Sequence, residues 1–133
     1  LAKKSSSENP VFYLQYAHAR ICSIFREAEK RKIKLDTDCV DLKTLDNSEA
    51  AVILKLLAKY PEELSDAAET FEPHKISTFL MRLAQSFHRF YTEHRVLSDD
   101  EIKTQTNLAL SDAVRIIIKN GLQILGVSAP ESM

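Results

Sequence analysis

The apolar positions of the chain recur at three- and four-residue steps, which is the spacing of one face of an α-helix. The first such stripe follows Asn9-Pro10, where asparagine suits the N-cap and proline suits the first helical position. Its members are Val11, Leu14, Ala17 or His18, Ile21, Phe25 and Ala28. The pattern predicts a long first helix that ends near Lys32.

The middle of the chain predicts a pair of helices that meet at a proline. Ser48 is expected to cap the first of them, and Tyr60-Pro61 stops it because proline cannot continue a helix from within. Pro61 then opens a short third helix. The apolar stripes of the pair are Val52, Leu54, Leu56 and Leu57, followed by Leu64, Ala67, Ala68 and Phe71.

The remainder of the chain predicts two long helices. Pro73 opens the fourth helix, and a last helix runs from about Ile102 to Leu125, ended by Gly126. The stripe of the fourth helix is Ile76, Phe79 or Leu80, Leu83, Phe87 and Phe90 or Tyr91. The pattern as a whole predicts an all-α fold, a single helical bundle of about five helices.

Composition agrees with one globular domain. The 133 residues are 44% hydrophobic and 28% charged. No apolar run reaches the ~20 residues that span a bilayer, so no membrane partner is expected. The chain starts at Leu1 with a polar segment, so we expect a piece of a longer protein without a secretory leader. Cys22 and Cys39 cannot build a disulfide framework, which makes the cytoplasm the expected compartment.

The charge is balanced overall but uneven along the chain. The formal net charge is −1, from 18 Lys and Arg against 19 Asp and Glu. The segment 26–34 holds five cations and two anions, and the segment 74–95 holds four Lys or Arg and three His against one Glu. Residues 26–34 are equally well explained as a solvated helix end or as a contact with an RNA backbone.

Catalytic chemistry is missing from the residues themselves. No glycine precedes Gly121, which excludes a glycine-rich phosphate loop. His88 and His94 fall near opposite faces of one helix, so no metal site and no cofactor site is expected. His18 and Cys22 are four apart and could touch, but a catalytic pair also needs an orienting group and an oxyanion site. We interpret them as residues of a helix–helix seam.

A more specific signal is the string from Ser7 to Ile21, which includes Asn-Pro-Val-Phe-Tyr-Leu-Gln-Tyr-Ala-His-Ala-Arg. It resembles the opening helix of the C-terminal anticodon-binding (DALR-type) domain of arginyl-tRNA synthetase. The segment 87–91 is similar to the penultimate long helix of that domain. The segment 108–133 is similar to the C-terminal end of the domain. The resemblance implies that residues 1–133 form an anticodon-binding domain.

The resemblance also implies a function and partners. The parent enzyme is a class I arginine–tRNA ligase, whose catalytic domain lies upstream, is absent here and uses ATP and Mg²⁺; this chain alone should have no activity. Its partners are the tRNA for arginine and that catalytic domain, in an enzyme expected to be monomeric. Aromatic side chains read unpaired anticodon bases by stacking. The tRNA-binding residues are expected to be Tyr16, His18, Arg20, Tyr91, Arg95 and Met133.

Several of these assignments have alternatives. Tyr13 and Tyr16 are three apart, so one can be core while the other reads RNA, and Tyr16 is favoured narrowly. His18 can be a hydrogen-bonded residue of the helix face instead of a base reader. Arg20 can form an ion pair within the protein or contact phosphate. The middle anticodon base, a cytosine in arginine tRNAs, is expected near Tyr91 and Met133.

The sequence departs from the family pattern at three places. Arg95 stands where relatives often have an aromatic or other stacking group, and Asn107 and Ser132 stand where the family usually has arginine. The last two changes remove cations from the presumed RNA face. They favour an alternative function, a helical protein-interaction module or a paralogue without RNA binding. Binding of RNA weakens steeply with salt, whereas apolar docking does not, so salt dependence separates the alternatives.

Overall fold

The computed structural model describes residues 9–133, which fold as an all-α bundle. Leu1 and the Ser7-Glu8 start of the motif string lie outside the described residues. Two short 3-10 turns, Thr37–Cys39 and Leu42–Thr44, follow the first helix. The predicted fold class is confirmed, but residues 9–133 hold four α-helices and not five. They are α1 (Pro10–Lys30), α2 (Ser48–Thr70), α3 (His74–Glu93) and α4 (Glu101–Ile124).

The number of helices is four because the helix break predicted at Tyr60-Pro61 is wrong. α2 runs through this proline without interruption, and its N-cap is Asn47 instead of Ser48, with the Asn47 side chain accepting from the Ala50 N–H at 2.8 Å. A proline in a helix removes one N–H bond, here the one to the Leu57 carbonyl. Packing on both sides of it holds the helix together. The buried residues of α2 are Ala50, Ile53, Leu56, Tyr60 and Ala67.

Replacing Pro61 by alanine is expected to raise the free energy of unfolding by about 2 kcal/mol, because a proline inside a helix costs ~3 kcal/mol and restricts the unfolded chain by up to ~1 kcal/mol. Urea unfolding followed by circular dichroism measures the change. Lys59→Ala, at an exposed neighbouring position, controls for helix propensity. A neutral or destabilising Pro61→Ala would mean that Pro61 begins a separate helix, where proline is favourable.

Three apolar residues in and just after α2 were expected to face the core and do not, namely Val52, Ala68 and Phe71. Val52 is 45% exposed and Phe71 is 90% exposed. Phe71 caps the C-terminus of α2 in the left-handed conformation, with a φ of 56° and its N–H bonded to the Ala67 carbonyl. It therefore leaves the helical period, and its ring points to solvent.

The core lies around α3 and α4, each of which contacts every other helix of residues 9–133, whereas α1 and α2 do not touch. Phe87 and Phe90 are fully buried on α3 and Phe79 is nearly so, as predicted. None of the helices described is both long enough and apolar enough to cross a bilayer. Because α1 packs on α3, side chains of these two helices meet at one surface of the bundle.

α4 ends at a glycine turn that sends the chain back towards α1. Gly126 has a φ of 77°, and its N–H bonds to the Gln123 carbonyl at 3.0 Å. The Val127 N–H bonds to the Leu122 carbonyl at 2.9 Å. This is the Schellman pattern, in which a glycine takes the left-handed position. The predicted role of Gly126 is confirmed.

Candidate nucleic-acid interface

A groove of about 310 Å³ lies between α1, α3 and the last residues of the chain, and we name it the aromatic groove. It brings together Tyr16, Arg20, Tyr91 and Met133, all of them predicted site residues. Its lining, within the residues described, contains no Asp or Glu. The lining residues are Tyr16, Ala19, Arg20, Ser23, Arg26, Tyr91, Ser132 and Met133.

Arg20 lies between the two tyrosine rings of this groove. Its Cζ atom is 5.3 Å from the ring centroid of Tyr16 and 5.0 Å from that of Tyr91. Its Nη2 donates to the Tyr16 hydroxyl at 2.7 Å, and this hydrogen bond is the main cause that raises the pKa of Arg20. Tyr16 and Arg20 are neighbours because residues four apart share a helix face. Arg20 therefore holds the two rings together, and its contact with phosphate stays a prediction.

Both rings are partly exposed to solvent. Tyr16 is 40% exposed and Tyr91 is 37% exposed, and the Tyr91 ring lies 6.3 Å from the Phe87 ring. Tyr13 is less accessible, packs edge-on against His88 at 5.3 Å, and has its pKa raised by burial. Of the two tyrosines on α1, Tyr16 is the one whose exposure suits contact with a base.

An apolar pocket of about 540 Å³ continues the groove on one side, lined by Phe12, Tyr13, Tyr16, His88 and Met133. Burial, with a smaller effect of the Arg20 charge, lowers the pKa of His88. The imidazole is therefore neutral at pH 7 and acts as an aromatic surface. Such a pocket accommodates a planar ring.

On the other side a cleft of about 710 Å³, which we name the arginine cleft, shares Ser23 and Tyr91 with the groove. Arg95 is exposed in this cleft, beside Tyr91 but outside the aromatic groove. Arg31 lies there too and pairs with Glu27 at 3.5 Å, both side chains being about half exposed. Glu27 and Glu93 line the cleft as well, so the charges of its two arginines are balanced there, with Arg95 beside Tyr91.

His18 is the predicted site residue that the structure does not bring to this surface. It is 2% exposed, its Nδ1 lies 2.9 Å from the Pro130 carbonyl oxygen, and the same atom lies 3.8 Å from the Cys22 Sγ. The prediction that His18 contacts RNA is wrong, because the chain segment after α4 covers the ring. The alternative of a hydrogen-bonded helix-face histidine is the one that fits.

A protein family and several known proteins match this chain. The family description that matches residues 14–133 is "DALR anticodon binding domain". The chain belongs to this family. It is 49% identical to the arginine–tRNA ligase of Desulfosudis oleivorans over 136 residues and 44% identical to that of Staphylococcus epidermidis over 133 residues. Each alignment covers 100% of this chain and 24% of the relative.

A solved structure agrees with this assignment. The arginyl-tRNA synthetase of Thermus thermophilus matches with a TM-score of 0.79 and 30% identity, covering 91% of this chain and 21% of that one. The all-α bundle is therefore a fold shared with a known synthetase. This DALR domain spans about a quarter of the length of the ligases it matches, since 24% of each is covered.

The structure places the two residues that stand where the family usually has arginine in different environments. Asn107 is 2% exposed, and its Nδ2 donates to the carbonyls of Arg95 and Val96 at 3.3 Å each. It fastens the connection between α3 and α4 and does not face the groove, so the expectation that it removes a cation from the RNA face is wrong. Ser132, in contrast, is exposed and lines the aromatic groove.

Two small residues of the groove went unnoticed in the sequence. Ala19 and Ser23 form its floor, on the same face of α1 as Tyr16 and Arg20. Helical spacing would have found them, since positions 16, 19, 20 and 23 fall on one stripe. Their short side chains keep the groove open beside the rings.

Within residues 9–133 no group of three or more His, Cys, Asp or Glu side chains is placed to hold a metal ion. Both glycines lie in or just after α4, so no glycine-rich loop precedes a helix there. The chemistry of this surface is stacking and cationic contact.

Proposed function

We propose that this chain recognises the anticodon stem-loop of the tRNA for arginine, as the anticodon-binding part of an arginine–tRNA ligase. The observation that carries the proposal is the aromatic groove, where two partly exposed tyrosine rings and Met133 flank one guanidinium. Anticodon loops offer unpaired bases, which proteins bind by stacking on aromatic rings and on arginine. The names of the ligases matched above support the identity of the RNA.

In this proposal the aromatic groove binds a base, and the arginine cleft contacts the RNA backbone. One splayed base stacks against Tyr91 or Tyr16, and Met133 adapts its flexible thioether to the other side of that base. Arg20 fixes the direction of both rings, so they are ordered before RNA arrives. Arg95 and Arg31 lie where the backbone of the neighbouring nucleotides would pass, and their charges attract its phosphates. The base proposed for the groove is the middle cytosine.

The rest of the ligase completes the reaction. Recognition of the anticodon places the acceptor end of the tRNA at a catalytic domain elsewhere in the enzyme, where arginine is activated with ATP and Mg²⁺. In this proposal the chain positions the tRNA and takes no part in the chemical steps. We place the whole enzyme in the cytoplasm as a monomer.

The test compares two RNA hairpins that carry the arginine anticodon loop, one with the middle cytosine and one with guanine in its place. Fluorescence anisotropy should show the cytosine hairpin binding about tenfold tighter or more, since discrimination by one base is worth ~1–3 kcal/mol. Affinity for both hairpins should fall steeply as salt rises. Equal affinities at every salt concentration would exclude the proposed recognition.

The alternative of a protein-interaction module has one favourable observation, the apolar pocket beside Tyr13. It loses the support of Asn107, because that residue is buried under the connection between α3 and α4. A protein ligand in the apolar pocket would bind with little dependence on salt. The salt series of the hairpin titration therefore also distinguishes this alternative.

A further inference from the structure

The chain after α4 is fastened to α1 by side chains of that helix. Gln15 Nε2 donates to the Ser128 carbonyl at 2.9 Å, and Arg26 Nη1 donates to the Glu131 carbonyl at 2.8 Å. Between them, His18 Nδ1 is 2.9 Å from the Pro130 carbonyl oxygen. A carbonyl oxygen only accepts, so the geometry requires a proton on Nδ1 of His18.

We propose that Gln15, His18 and Arg26 are positioning residues that hold Met133 in the aromatic groove. This inference rests on the proposed function, in which Met133 contacts a base. The three residues do not read RNA in this scheme; they determine where the methionine is when RNA arrives.

The nature of the bonds supports a positioning role. All three donors bind main-chain carbonyls, so they fix the path of the backbone whatever side chains it carries. Val127 and Ala129 of the same segment also pack against the core. The segment contains no helix of its own, and its backbone order therefore depends on these contacts.

His18 is the central contact of this set. It is 2% exposed, whereas Gln15 is half-buried and Arg26 is exposed. The His18 hydrogen bond to Pro130 is part-buried, and the loss of this bond removes a partner from the Pro130 carbonyl. Met133 has a side chain with three rotatable bonds and is 57% exposed, so it has little packing of its own to fix it.

The chain offers a direct probe of this arrangement, because it contains only two methionines. Labelling the methionine methyl groups with ¹³C gives one signal for Met133 and one for Met81, which packs against the core on α3 and serves as the internal reference. In the wild type, the neighbouring tyrosine rings should displace the Met133 signal from the position of free methionine.

His18→Leu should move the Met133 signal towards that of free methionine and sharpen it, while the Met81 signal stays in place. His18→Asn is the conservative variant, because its amide nitrogen can donate from nearly the same position as Nδ1. It should restore the wild-type signal. If His18 only stabilised the fold, His18→Leu would disturb the Met81 signal too. It would then be unexpected that His18→Asn restores the Met133 signal while the Met81 signal never changes.

A second variant avoids any risk to the fold. Gln15 and Arg26 are accessible, so the double variant Gln15→Ala/Arg26→Ala should fold and should also shift Met133 towards free methionine. Lys55→Ala, an exposed charge removal on α2, is the matched control and should leave both signals unchanged. Wild-type Met133 signals in both His18→Leu and the double variant would overturn the proposal.

Hairpin binding gives the functional readout. The preference for the cytosine hairpin should fall about tenfold in His18→Leu and in the double variant, and remain in His18→Asn and Lys55→Ala. A displaced Met133 signal with an unchanged preference would overturn the positioning role. If the wild type shows no preference at all, the proposed function fails, and the methyl signals still decide whether these residues hold the segment.

Discussion

Tyr91→Ala is expected to weaken binding of the cytosine hairpin by about 10- to 100-fold, because stacking of one base on an aromatic ring is worth ~1–3 kcal/mol and each 1.4 kcal/mol is tenfold. The Arg20 guanidinium lies over this ring, 5.0 Å from its centroid, the tilted Phe87 ring is 6.3 Å away, and Tyr91 remains 37% exposed in the groove. Its removal takes away the stacking surface and leaves Arg20 with one ring fewer to hold it. Anisotropy titration at fixed salt measures the loss.

Two matched variants make this result specific. Tyr91→Phe keeps the ring and should retain most of the affinity, which separates stacking from hydrogen bonding by the hydroxyl. Phe71→Ala removes a more exposed aromatic ring, 90% accessible at the end of α2 and outside the groove, and should bind as the wild type does. If Tyr91→Ala binds the cytosine hairpin with wild-type affinity, no anticodon base stacks on this ring.

The expected loss comes from stacking more than from charge. The chain carries a net charge of −1, so it has no general attraction for RNA. What the groove offers is local: Arg20 and Arg26, with no acidic side chain in its described lining. In a protein with almost no net charge, two arginines alone give weak binding, and aromatic contacts must add to them. Loss of Tyr91 should therefore lower hairpin affinity more than loss of any single arginine of the cleft.

Local sequence rules predicted those parts of the site that depend on one helix. Asn9-Pro10 starts α1 as expected, with the Asn9 side chain accepting from the Phe12 N–H at 3.2 Å. From that start the helical period puts Tyr16 and Arg20 on one face. Tyr91 and Met133 came from the family resemblance, because no periodicity relates residues on different elements.

The errors occurred where contacts distant in sequence decide the outcome. The pattern of its own helix left His18 open between the apolar stripe and the RNA surface, and the partner that decides, Pro130, is 112 positions away. Asn107 is buried under the connection between α3 and α4, to whose carbonyls it donates hydrogen bonds. Pro61 obeys the rule for a helix break, yet tertiary packing of both halves of α2 overrides it. Each case needs the folded chain, because propensity describes only local preferences.

Gly121→Val is expected to lower the free energy of unfolding by about 3 kcal/mol or more, the upper range for overpacking a core. Gly121 is buried in α4, and a Cβ atom built there would lie 3.0 Å from Leu80 Cδ2 and closer still to Cδ1. Leu80 is fully buried on α3, so moving its side chain disturbs core packing. The glycine thus sets how closely α3 and α4 approach, and urea unfolding measures the cost of widening that approach.

The cause of this loss can be separated from helix propensity and from the RNA site. Gln123→Val places the same side chain at an exposed position of α4 and should cost only a few tenths of a kcal/mol. Adding Leu80→Ala to Gly121→Val should cost less than the sum of the single changes, because the overlapping atoms are gone. Leu80 lies about 16 Å along α3 from Tyr91 at ~1.5 Å per residue, so folded Gly121→Val should keep its cytosine preference. An additive double variant would mean that the two side chains do not compete for the same space, and that the glycine serves another purpose in α4.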